Sequence, residues 1–200
     1  MGFIDILEAS GDLSPRQRWS HVFTVAFALA CIFLGIILRN NTLFATTHYV
    51  DVEAGIEAEY PANWLLDTDG DYVFRVRDMT RLDFKTVIQV SLEPISPDNP
   101  NGRNILDALS LVRSQTLTAY DASAIEDYVL PDGSPALSMA YTFVDKEVNP
   151  LLDFVPTVVI GTDILVIKRG QAIIITFQSD ERGYDENIAI FQRFLESLDF

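Results

Sequence analysis

From Trp19 to Leu38 the chain reads WSHVFTVAFALACIFLGIIL, twenty residues without a single Lys, Arg, Asp or Glu. At about 1.5 Å of rise per residue such a run spans roughly 30 Å as a helix, the thickness of a bilayer's hydrocarbon core. Just upstream, Ser14-Pro15 has the form of an N-cap followed by proline at the first helical position. Trp19 falls where an interfacial aromatic belongs. The sequence therefore predicts a transmembrane helix beginning at Pro15 and ending near Leu38, within residues 15–39.

Its flanks set an expected direction. Arg16 and Arg18 precede the run, Arg39 alone follows it closely, and the next cation is Arg75. The bias of positive charge toward the cytoplasm places residues 1–14 inside and the remainder outside. Ala45 offers a signal-peptide cleavage position, and Ala28-Leu29-Ala30-Cys31 an imperfect lipoprotein box. The run is longer than the roughly 7–15-residue core of a signal peptide, however, and Arg39 interrupts it. Cutting before Cys31 would also leave Ile32–Leu38 as an apolar stub, so an uncleaved anchor is expected. Met1–Leu13 opposes Phe3, Ile4 and Leu7 to Asp5, Glu8 and Asp12. This segment is too acidic to be drawn to anionic lipid, leaving it frayed or held by a partner.

Within the span, Thr24, Ala28, Cys31 and Gly35 recur at i, i+4, i+7 and i+11 and are all small. A small-residue stripe lets a second helix backbone approach closely in lipid. The sharp reading is docking onto another membrane subunit, and the bland one is chance composition.

The 200 residues suit one domain plus an appendage. Charge is unevenly distributed: the net −15 belongs to residues 40–200, which hold 26 acids and 11 bases. That argues against nucleic acid or anionic headgroups as partners. A lone cysteine excludes an internal disulfide and any Cys-rich metal framework.

After a linker over 40–47, residues 48–200 alternate strand and helix signals. Tyr72, Phe74 and Val76 alternate with Arg75 and Arg77, and Phe84 to Leu92 repeats the pattern. Asn104 reads as the cap of a helix running to about Tyr120, with Ile105, Leu109 and Val112 as its stripe. Ile125–Leu130 and Leu137–Val144 form a hairpin across Pro131-Asp132-Gly133, and Thr157–Lys168 pairs with Gln171–Ser179 across Arg169-Gly170. Ala172 to Phe177 is apolar on both faces and so should be a central, doubly covered strand. A closing helix over Asp185–Leu198 carries Ile188, Phe191, Leu195 and Leu198. The expected fold class is α/β (α+β): an α/β/α sandwich on a largely antiparallel sheet, preceded by one N-terminal transmembrane helix.

Gly55-Ile-Glu-Ala-Glu-Tyr-Pro-Ala-Asn-Trp64 resembles the opening strand and P-x-x-W turn of PsbP-like and DcrB-like domains. Gly133-Ser-Pro-Ala136 leading to Tyr141 is similar to their central hairpin. Gly170 to Phe177, Tyr184 and Phe191–Phe200 are similar to their last strand and helix. The likeness runs in order over about residues 50–200. It implies a non-catalytic domain of the kind that docks onto a membrane complex, photosynthetic or respiratory, or assists its assembly. The retained span departs from the secreted or lipid-anchored pattern common in those families, and fold analogy does not by itself transfer a role.

Catalytic constellations are scarce. The two histidines, His21 and His48, lie at the entry and exit of the span, so no Ser-His-Asp or Cys-His site can be assembled in the domain. No G-x-S-x-G, Walker or dinucleotide motif occurs. Asp67, Asp69 and Asp71 alternate as calcium ligands do, but the glycine stands fourth and no Glu stands twelfth. A solvated turn is the simpler reading, a weak calcium site the other. Leu151, Leu152, Phe154 and Val155 make an unusually apolar connection, buried under the domain or meeting a partner. No resident cofactor is expected. The functional expectation is an accessory subunit or assembly factor contacting integral membrane subunits and the bilayer. A free-standing envelope module for a cation or small ligand is the alternative.

Overall fold

A computed structural model describes residues 15–43, 45–81, 84–95, 101–146 and 156–200. The chain divides into two compact units, residues 1–45 and 46–200.

The first unit is helix α1, Pro15–Leu43, 29 residues long. It continues five residues beyond Leu38, because Asn40 to Leu43 carries no proline or glycine to stop it. The Thr24 and Thr42 hydroxyls each donate back to the carbonyl four residues earlier, at 2.9 Å, so neither side chain competes with the helix. Strand β1, Thr46–Asp51, begins only three residues after α1 ends.

In the second unit β1 pairs antiparallel with β2, Ile56–Pro61, as a separate two-stranded sheet. The main sheet is antiparallel throughout, in the order β3-β4-β5-β10-β9-β8-β6, with β7 also on β8. Its strands are β3 Leu65–Asp67, β4 Phe74–Arg77, β5 Val87–Pro94, β6 Thr118–Ala122, β7 Glu126–Val129, β8 Pro135–Asp145, β9 Thr157–Lys168 and β10 Gln171–Asp180. The β9–β10 reversal uses Arg169 and Gly170, both at positive φ (52° and 79°), the geometry of a tight hairpin whose twist suits its strands. Six consecutive residues, Ala172–Phe177, are buried, as a central strand covered on both faces requires.

Helix α3, Tyr184–Ser197, covers one face, setting Phe191, Phe194 and Leu195 on Ile173, Ile175 and Phe177. The Phe177 and Phe191 rings stack at 4.7 Å. Ile56, Ala58 and Tyr60 of β2 complete that core, together with Trp64, which is 6% exposed beneath its turn. Helix α2, Gly102–Thr116, covers the other face, where Leu106 meets Met139, Leu165, Ala172 and Ile174.

Helix α2 departs from its sequence reading in two ways. Asn101 caps it, its side chain accepting from the Arg103 amide at 3.1 Å, whereas Asn104 already lies inside the first turn. The chain also leaves the helix at Leu117 to form β6, so Tyr120 belongs to a strand. With that phase Gly102 and Leu106 are the buried residues, and Val112 stands 57% exposed.

Beneath α2 lies a buried polar cluster. Asp163 of β9, fully buried, pairs with both guanidinium nitrogens of Arg113 and accepts from the Thr176 hydroxyl at 2.7 Å. The guanidinium stands 4.4 Å over the Tyr141 ring, and the Tyr141 hydroxyl accepts from Gln178 at 2.9 Å. Burial pushes the Asp163 carboxyl above its ordinary pKa, with the Arg113 charge opposing. Gly161 lies opposite Tyr141 in the β8–β9 ladder, and a Cβ there would collide with the ring.

Candidate functional site

The domain carries an open cleft of about 930 Å³. Its walls come from β1 and the tip after it (Tyr49, Asp51, Glu53, Ala54) and from the β3–β4 turn (Thr68, Asp71, Tyr72). The ring of Tyr49 lies 4.6 Å from Phe74, which ties the cleft floor to the α3-side core. Asp51 builds the tip: its Oδ1 accepts from the Glu53 and Ala54 amides at 3.0 and 2.8 Å, and its Oδ2 from the Tyr49 hydroxyl at 3.2 Å. Burial, then the neighbouring Asp51 charge, raises the Tyr49 pKa.

The aspartate motif separates by role. Asp67 closes β3 and accepts from Arg75 at 2.7 Å, with Arg77 at 3.4 Å. The Arg75 hydrogen bond, ahead of that from the Asp69 amide, holds the Asp67 pKa down to about 2. The Arg75 guanidinium also lies 4.6 Å from the centre of the Tyr72 ring. Asp71 instead lines the cleft. Among the described residues no three His, Cys, Asp or Glu side chains are placed to hold a metal ion. Asp67, the first carboxylate of the motif, is already an arginine's partner, a spatial fact that D-x-D-x-D spacing does not encode.

On α1, Thr24, Ala28, Cys31 and Gly35 are exposed, as is every described side chain of the helix. A Cβ on Gly35 would meet nothing within 4 Å, and Cys31 is a free thiol. The apolar window Trp19–Thr42, 24 residues with none buried, is long enough to cross a membrane. Leu151, Leu152, Phe154 and Val155 lie outside the described residues. His48 is 3.6 Å from Glu57 on the surface, both about half exposed.

The cleft could not be read from the sequence. Its lining comes from four stretches between residues 49 and 171, and the only local signal is the turn composition at Asp67–Asp71.

Comparison with known proteins gives a fold. The cyanobacterial PsbP protein (CyanoP) of Synechocystis sp. PCC 6803 matches at 19% identity with a TM-score of 0.56, over 78% of this chain and 92% of its own. The Ran-binding protein Mog1p of Saccharomyces cerevisiae matches at 11% identity and a TM-score of 0.49, over 78% of this chain and 95% of its own. No family model and no curated protein matches the sequence. The molecule is thus a mixed α+β domain of PsbP-like fold, preceded by one apolar helix of membrane-spanning length.

Proposed function

We propose that this chain is a non-catalytic, membrane-anchored accessory subunit or assembly factor of a larger membrane complex, with its N-terminus cytoplasmic and its PsbP-like domain outside. The observation that carries the reading is α1. Its 24-residue apolar window, Trp19–Thr42, is exposed throughout, a surface suited to lipid and to other helices. About 36 Å of helix exceeds the hydrocarbon thickness and suits a retained, tilted span better than a signal core. The face of Thr24, Ala28, Cys31 and Gly35 admits a second helix, while the domain meets the complex's outer surface. The PsbP-like fold supports this, as a scaffold used in docking rather than chemistry.

The test is Gly35→Leu and Ala28→Leu in the full chain. Either should loosen co-purification with membrane partners, while the urea midpoint of the 46–200 unit stays unchanged. Co-purification at the parental level in both variants would overturn the docking face.

A further inference from the structure

The cleft beside the β1–β2 tip combines two properties that together select an occupant. Its floor is apolar: Tyr49, Ala54, Leu66, Val73 and Leu92 are half-buried and packed on the α3-side core. Its rim is acidic, with Asp51, Glu53 and Asp71, and among the described residues no Lys or Arg lines it. Of the two cations nearest in sequence, Arg75 is withdrawn onto Asp67 and the Tyr72 ring, and Arg169 lies against Gly55 in the hollow on the other side of the tip. Asp51 is held by its own hairpin, whereas Glu53 and Asp71 are exposed and form no ion pair among the described residues.

We propose that this cleft docks a polypeptide segment of the partner complex that presents Lys or Arg side chains beside apolar ones. The proposal rests on the accessory-subunit reading and names the chemistry of its partner. A volume of about 930 Å³ is too large for one ion and accommodates several side chains. Long basic side chains lay aliphatic stems on apolar surface and carry their charge to a rim, matching this floor and this rim at once. A second copy of the chain is a poor occupant, since residues 40–200 hold 26 acids against 11 bases. Anionic headgroups are repelled for the same reason.

The experiment uses the full chain in phosphatidylcholine nanodiscs and three labelled peptides, alternating Leu–Lys, Ser–Lys and Leu–Glu. The proposal expects Leu–Lys to bind tightest, and Glu53→Lys/Asp71→Lys to weaken it about tenfold. Glu126→Lys/Glu196→Lys, the same charge change on exposed sites elsewhere, should leave it within about twofold. Equal weakening by both pairs, equal binding of Ser–Lys, or an unaffected Glu53→Lys/Asp71→Lys variant would each overturn it. The accessory reading fails separately: a chain that migrates alone after native extraction refutes that reading whatever the peptides do. Co-migration with insensitive peptide binding refutes only the cleft.

Discussion

Arg113→Met isolates the interaction on which the α2 face depends. The substitution keeps most of the aliphatic volume and removes the charge, leaving Asp163, 0% exposed, with only the Thr176 hydroxyl. Breaking a buried pair by deleting one partner costs about 3–5 kcal/mol, because the other charge remains buried without compensation. Against a typical domain stability of about 5–15 kcal/mol, that is at least about a fifth of the total. The loss should depend on pH. Asp163 binds its proton more tightly folded than unfolded, so its contribution is present below the unfolded pKa and lost as pH rises through the folded one. Without Arg113 the upward shift grows. The deficit should therefore be smallest in acid, widen as pH climbs through the carboxylate range, and level off once Asp163 ionises. Urea titration followed by the fluorescence of Trp64 at several pH values measures this. Arg113→Met/Asp163→Leu should recover most of the loss, since an apolar replacement leaves no orphaned charge. A single variant within about 1 kcal/mol of the parent at neutral pH, with no pH trend, would refute the reasoning.

Gly161→Ala should destabilise by about 1–3 kcal/mol in the same assay, because its Cβ overpacks against a Tyr141 ring enclosed by Arg113, Tyr120 and Phe143; a neutral effect would mean the ring moves freely. The Asp67 carboxyl should titrate near 2 by carbon-detected NMR, so the stability it contributes at neutral pH is lost as pH falls from the ordinary carboxylate range through that value. Arg75→Met should move that midpoint up toward the ordinary carboxylate range, and an unmoved midpoint would contradict the pairing. Millimolar Ca²⁺ should leave the urea midpoint unchanged, since an occupied site must stabilise the folded state by mass action; a saturable rise removed by Asp69→Ala would contradict the arginine-held reading of the aspartate turn.

Legibility followed the range of the interaction that decides each element. The β9–β10 hairpin and its buried core stretch were readable because Arg169-Gly170 and the run Ala172–Phe177 encode turn and burial locally. So was the closing helix, through the spacing of Phe191 and Leu195. Helix α2 differs from its sequence pattern at both ends because two asparagines, Asn101 and Asn104, both suit a cap, and only packing on Leu165 and Met139 chooses between them. Its end at Leu117 is set by pairing of Thr118 with Val144, a long-range event. The Arg113–Asp163 pair spans 50 residues and the cleft draws on four stretches, so neither leaves a mark in local pattern.

The accessory-subunit account is tested most directly by gentle detergent extraction of the native membrane, native-gel mass determination and identification of co-migrating chains. The account predicts migration in an assembly well above the mass of one 22.4 kDa chain in its detergent belt, together with integral membrane subunits. Migration as a single chain with detergent alone would contradict it.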